Sequence, residues 1–167
     1  DEFNLENLTS NIQIHSEIVN LIDESNIGSK NEGDALITNV KEVPLLVFTA
    51  DCVPIAIIDK KNKAIGVVHA GWRGTYSQIA KNTIELMKKE YNTDARDLLC
   101  VIGPSIGSCC YEVSKDLIEK FNIILTNCKE KFYIIKEGKY YLDLWKVNEY
   151  VLKTCGVKEK NIINLNI

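Results

Sequence analysis

The stretch from Pro44 to His69 is the strongest constraint on how this chain folds. Pro44-Leu-Leu-Val-Phe-Thr-Ala-Asp-Cys-Val-Pro-Ile-Ala-Ile-Ile-Asp59 is too apolar for a strand with one wet face, Lys60-Lys-Asn-Lys63 is a polar turn, and Ala64 to His69 is apolar again. This pattern reads as an antiparallel hairpin set into a sheet. Proline has no N–H for a ladder, so the two prolines break the first arm in a bend around Asp51 to Pro54. A hairpin centred between residues 61 and 62 opposes residue 52 to residue 71. Cys52 and His69 then share a face as diagonal neighbours, within side-chain reach.

Other segments add alternating element types. Asn31 to Asp34 is a turn, Ala35 to Ile37 a strand, and Asn11 to Ser16 has strand character. Tyr76, Ile79, Ala80, Thr83, Ile84, Met87 and Tyr91 recur at helical spacing and predict one helix. Leu98 to Ile102 is a short buried strand that runs into a loop over Gly103 to Gly107. Ser114 caps a helix carrying Leu117, Ile118 and Phe121. Phe132 to Ile135 and Tyr140 to Leu142 form a second hairpin about a turn at Lys136 to Lys139. Asp143 caps a helix that ends at Gly156, and Ile162 to Ile167 starts another strand. Hairpins flanked by helices predict an α+β (mixed α/β) fold with mixed, largely antiparallel sheets. With no linker, repeat or low-complexity block, residues 1–167 read as a single domain.

Composition narrows the function. At 167 residues and 46% hydrophobic, the chain buries roughly 70% of its unfolded surface in one core. A net charge of −3 leaves no electrostatic footprint for nucleic acid and no basic face for a membrane. No apolar run reaches the ~18 residues of a membrane span. The six cysteines lie in apolar runs such as Leu98 to Ile102 and include no CxxC pair. They read as buried free thiols in a reducing cytoplasm rather than a disulfide framework. Met87 is the sole methionine, so Asp1 is not expected to be a translational start, and a longer parent protein is expected.

Only two histidines occur, which limits the chain to one small imidazole site and excludes a trinuclear copper cluster. His15, Cys52 and His69 could converge as a three-ligand zinc set with an open fourth position, the arrangement of a catalytic site. The alternative for each is a hydrogen-bonded histidine or an inert packed thiol. In His69-Ala-Gly-Trp-Arg-Gly74, the Gly71–Gly74 turn and the Arg73 fork suit an anion, or Arg73 simply lies over Trp72 in a cation–π contact. Both readings stay open. Gly103-Pro-Ser-Ile-Gly-Ser-Cys-Cys-Tyr-Glu112 allows close backbone approach to a ligand, and Cys109–Cys110 reads either as a redox pair or as part of a tight loop with one thiol buried.

Together Gln13-Ile14-His15, Thr49-Ala-Asp-Cys-Val-Pro54, His69 to Gly74, Ile102 to Val113 and Tyr141-Leu-Asp-Leu-Trp145 resemble the purine nucleoside phosphorylase family once described as multicopper polyphenol oxidoreductases or laccase-domain proteins. The resemblance spans about residues 11–167. It implies a zinc enzyme that phosphorolyses adenosine, inosine and methylthioadenosine and deaminates adenosine, with His15, Cys52 and His69 as metal ligands. Copper is the second candidate metal. Purine nucleosides and phosphate are the implied partners; on the anion reading of the His69 to Gly74 segment, Arg73, Gly71 and Gly74 would face the phosphate. The pattern departs at Ser16, where relatives have Gly, and relatives carry N- and C-terminal segments that this sequence lacks.

Two other classes remain. In a Cys–His hydrolase or transferase, Cys52 is the nucleophile and His69 its base; a role in peptidoglycan-precursor editing fits this chemistry or the zinc chemistry. A non-catalytic binding module is the third. Laccase chemistry ranks last, because copper favours imidazole and Met87, the one candidate axial ligand, lies on an apolar helix face.

Overall fold

The computed structural model describes residues 5–167; Asp1, and with it the reading of the chain start, lies outside the described residues. In chain order the strands and helices are β1 (Thr9–Ser10), β2 (Val19–Ile22), β3 (Ala35–Thr38), β4 (Leu45–Leu46), β5 (Val53–Asp59), β6 (Ala64–Ala70), α1 (Trp72–Tyr76), α2 (Ile79–Tyr91), β7 (Leu99–Ile102), β8 (Glu112–Val113), α3 (Lys115–Ile124), β9 (Tyr133–Lys136), β10 (Lys139–Leu142), α4 (Leu144–Thr154) and β11 (Ile162–Asn164). Six strands form the main sheet in the order β11-β7-β5-β6-β3-β2, and β8-β10-β9 form a smaller one. Neighbours in the main sheet are antiparallel except β2–β3 and β7–β11. This is the α+β architecture, with mixed and mostly antiparallel sheets, that the hairpins predict.

The central hairpin has the predicted register. Asp59 opposes Ala64, and Val53 opposes Ala70, which centres the turn between residues 61 and 62. Asp59 holds that turn by accepting hydrogen bonds from the Asn62 backbone at 2.9 Å and side chain at 2.8 Å. β5 pairs with β6 on one edge and β7 on the other, and its residues alternate between buried and half-buried, so neither face is fully exposed. Val53, Ile55 and Ile57 enter the main core with Met87 of α2 and Val151 of α4. Leu36 of β3 turns to the opposite face, into a smaller cluster with Ile22 and Val43.

Several local expectations change. The break in the apolar arm falls at residues 47–52, and Pro54 sits inside β5, where its carbonyl accepts from the Gly103 N–H at 2.9 Å. The helix predicted from Tyr76 starts earlier and is two helices. Gln78, at φ 59°, separates α1 from α2, while Ile79, Ala80, Thr83, Ile84 and Met87 stay buried as expected. α1 leaves the α2 axis to meet α4, where the buried Asn148 side chain donates to Thr75 Oγ1 at 3.1 Å. The second hairpin turns on two residues only, Glu137 and Gly138, both at positive φ, as a type I′ turn requires. Ser114 and Asp143 cap their helices as predicted. Only part of Ile162–Ile167 pairs as a strand, as β11.

Asn11 to Ser16 is not a strand. Ile12 makes one isolated bridge to Glu32. The backbone N–H groups of Ile14, His15 and Ser16 then go to the Asp34 carboxylate instead of a ladder. The thiol expectation also needs correction. The six cysteines are free, but only Cys100 is fully buried, and Cys109 and Cys110 are both exposed because their loop runs over the surface.

Candidate metal centre and its cleft

The centre is assembled from three separate segments around one buried carboxylate. Asp34 has no exposed surface, and it follows the turn that leads into β3. Its Oδ2 accepts from Ser16 N at 2.6 Å, from the Ser16 hydroxyl at 2.8 Å and from Ile14 N at 3.3 Å. Oδ1 accepts from His15 N at 3.0 Å and from His69 Nδ1 at 2.8 Å. One side chain therefore folds the 14–16 loop, with His15 at φ 59°, and orients the His69 ring. Burial raises the Asp34 carboxyl, but the hydrogen bonds from Ser16, His69 and His15 together outweigh it and hold it below its ordinary value of 3.8.

Because Asp34 accepts from Nδ1–H, the lone pair of His69 sits on Nε2. This is the carboxylate–histidine pairing typical of metal-ligating imidazoles. The His15 and His69 rings stand edge to face with centroids 4.9 Å apart. Cys52 Sγ lies 4.0 Å from His15 Nε2, and one donor atom from each residue lies within 4.8 Å of the others. Donors on a tetrahedral zinc stand about 3.5 Å apart, so the trio would close on an ion by shifts of the order of 1 Å. The sequence-predicted set is thus brought together, although by a loop around Asp34 and not by a third strand.

Two further observations fit a cation here. Burial first, then the charges of Asp51 and Asp34, push the Cys52 thiol above its ordinary value; a metal ion reverses that by taking the thiolate as a ligand. Gly71, at the N-cap of α1, leaves a gap against the trio: a Cβ there would lie 2.8 Å from Cys52 Sγ and 3.2 Å from His15 Cδ2. Its φ of −66° suits any residue, so the glycine serves close approach and not backbone freedom.

A cleft of about 110 Å³ opens beside Cys52 and His15, lined also by Asp51, Trp72, Arg73, Ile106, Tyr111 and Leu144. The Arg73 guanidinium lies 4.6 Å from the Trp72 ring centroid. The cation–π reading therefore holds, with Arg73 still facing the cleft. Gly74 is buried, and a Cβ there would meet the Ser16 carbonyl at 3.1 Å; it packs α1 onto the ligand loop. A second cleft of about 350 Å³ shares Trp72 and Tyr111 and runs along the start of α3 past Ser114, Leu117 and Lys120. The Tyr111 hydroxyl is raised by burial and by Cys52, with Arg73 opposing.

Sequence reasoning missed Asp34, which it placed in a turn. The available signal was a carboxylate set directly against the apolar strand Ala35-Leu-Ile37, where a solvated side chain has little room. Tyr111, within the Gly103 to Glu112 motif, walls both clefts, which no local pattern marks.

A family model described as multi-copper polyphenol oxidoreductase laccase matches residues 2–167. A Clostridium acetobutylicum purine nucleoside phosphorylase is 37% identical over 165 residues, covering 99% of this chain and 65% of that protein. An adenosine deaminase from an unidentified prokaryote is 37% identical over 133 residues, covering 78% of this chain and 50% of that protein. The crystal structure of a Bacillus licheniformis hypothetical protein, YfiH, superposes with a TM-score of 0.93 at 28% identity, covering 99% of this chain and 66% of that one. The chain spans less than two thirds of the length of each of these proteins. On this match the chain belongs to the multi-copper polyphenol oxidoreductase laccase family, and its curated relatives include proteins named purine nucleoside phosphorylase and one named adenosine deaminase.

Proposed function

We propose that this chain, as one laccase-domain unit, carries the zinc centre of a purine nucleoside phosphorylase acting on adenosine, inosine and methylthioadenosine, with adenosine deaminase activity. The observation that carries the reading is the His15–Cys52–His69 trio, oriented through Asp34 and open to a cleft that also holds Arg73. Zinc bound by these three residues supplies Lewis acidity at neutral pH. Two imidazoles and one thiolate suit zinc; a multicopper cluster requires more imidazoles than the two the chain contains.

The remaining roles fall to the chain's own groups. Of the three ligands, His15 and Cys52 line the cleft and stand nearest the chemistry, whereas His69 is buried behind them, its Nδ1 held by Asp34. Arg73, in the first turn of α1 after the Gly71 N-cap, presents a permanent charge to inorganic phosphate, and Trp72 holds its guanidinium in place. Trp72 and Tyr111 wall the passage between the two clefts, where a purine ring can lie against an aromatic face. A cytoplasmic location fits a centre that needs Cys52 reduced. No helix among the described residues is long and apolar enough to cross a membrane.

One observation favours a second reading. Asp34, His69 and Cys52 together resemble the orienter, base and nucleophile of a Cys–His hydrolase or transferase. Against it, the imidazole within reach of Cys52 Sγ is that of His15, at 4.0 Å, and not that of His69, the ring Asp34 orients.

Elemental analysis with a chromatographic assay on adenosine and phosphate separates these readings. About one zinc per chain is expected, with release of adenine and inosine, and Cys52→Ala should lose the metal and both products. Full activity after exhaustive chelation, abolished by thiol alkylation, would establish the nucleophilic cysteine instead. Unchanged metal content and assays in His15→Ala, Cys52→Ala and His69→Ala would leave only a binding module.

A further inference from the structure

Two thiols outside the metal centre are placed for chemistry of their own. Cys109 and Cys110 are both exposed, and their sulfurs lie 2.9 Å apart, hydrogen-bonded to each other. Successive residues of a strand point to opposite faces, so adjacent cysteines ordinarily diverge. Here the chain turns sharply: the N–H groups of Cys110 and Tyr111 both donate to the Gly107 carbonyl, at 3.0 and 3.1 Å, and Glu112 N donates to the Cys110 carbonyl at 3.0 Å. The turn is seated on Trp145, whose ring occupies the space a Gly107 side chain would fill, 2.9 Å from an added Cβ.

We propose that Cys109 and Cys110 form a redox modification site, oxidised to a vicinal disulfide by a low-molecular-weight disulfide such as oxidised glutathione. The thiolate of one cysteine attacks the small disulfide. A new S–S bond joins the two molecules, the old S–S bond breaks, and the departing thiolate takes up the proton the cysteine gave away. The second cysteine then attacks the first cysteine's sulfur, the Cys109–Cys110 bond forms, and a second small thiol leaves. Two protein thiols are oxidised and one small disulfide is reduced to two thiols.

Geometry makes this bond labile. Adjacent Cα atoms across a trans peptide are about 3.8 Å apart, below the roughly 4.4–6.8 Å of a relaxed disulfide. Strain of this kind favours reduction, which suits a reversible site and not a structural bridge. Both thiols are exposed and in contact with each other, so either can take the first step and the other complete the bond. The next residue, Tyr111, lines both clefts, which puts the modification directly beside the cleft wall. None of this rests on the activity proposed above.

The test is a titration of the full protein with mixtures of oxidised and reduced glutathione, quenched in acid, alkylated, digested and read by mass spectrometry. The peptide carrying Cys109 and Cys110 should lose two hydrogens and regain them on return to reduced glutathione, with zinc content unchanged. Cys110→Ser should instead accumulate a glutathione adduct on Cys109; both side chains are exposed, and the parent protein decides the matter even if that variant is unstable. A lasting glutathione adduct in the parent, a link to a cysteine on another peptide, or two unmodified thiols would each overturn the proposal.

Discussion

Replacing Asp34 with Asn removes one charge and turns one acceptor into a donor, at a site where five donors meet two oxygens. With the amide nitrogen at the Oδ2 position, the new N–H groups face Ile14 N, Ser16 N and the Ser16 hydroxyl. At the Oδ1 position they face His15 N, and a bond to His69 survives only if Nδ1 becomes the acceptor. That moves the ring proton to Nε2 and removes the lone pair a metal requires. A buried donor left without an acceptor costs about 1–3 kcal/mol, and hydrogen bonds to a charged group contribute about 1.5–3 kcal/mol each. Two such losses set the expected destabilisation of Asp34→Asn at roughly 3–6 kcal/mol. Zinc affinity should fall roughly 10- to 100-fold, the usual consequence of losing the partner of a ligating histidine. Denaturant unfolding reads the first quantity, and competition with a chromogenic chelator reads the second. Ser16→Ala, which loses the hydroxyl's bond to Asp34 and the one it accepts from Ile18 N, should cost about 1.5–3 kcal/mol and serves as a graded control. The pH dependence has a defined sign. The folded-state value of Asp34 is depressed, so its contribution is present above the ordinary value of 3.8 and disappears as pH falls through the folded value; the Asn variant should lack that acid limb. A variant as stable as its parent, with unchanged zinc affinity, would refute the assignment of Asp34 as organiser of both histidines.

Three further outcomes follow from single contacts. In Gly71→Ala the Cys52 thiol must rotate away from a Cβ 2.8 Å distant; overpacking of about 1–3 kcal/mol then acts on the ligands, so zinc per chain drops while circular dichroism is unchanged. The Tyr91 hydroxyl is buried without a hydrogen-bond partner and is pushed up to about 12 by burial, then by Glu90 and Asp23. Tyr91→Phe should therefore raise stability by about 1 kcal/mol, read as a higher denaturant midpoint. Ser114→Ala should cost about 1 kcal/mol by removing the cap on Leu117 N, and Ser114→Asp should restore it.

Features that depend on local periodicity and turn chemistry were legible in the amino-acid order alone. The β5–β6 register followed from one polar turn between apolar arms, because a pleated pair has only one centre. The buried face of α2 followed from the spacing of Ile79, Thr83 and Met87, and the caps at Ser114 and Asp143 from side chains that reach their own helix. Cys52 and His69 were placed together for the same reason. Tertiary structure decided what depends on distant acceptors and on room. His15 joined the site through Asp34, whose five donors come from residues up to 35 positions away and which no periodicity marks. The split at Gln78 came from α1 turning to meet Asn148 of α4. The exposure and contact of Cys109 and Cys110 were set by a turn seated on Trp145, 35 or more residues further along. Local pattern specifies which residues face inward; it does not specify which buried carboxylate the loops will close upon.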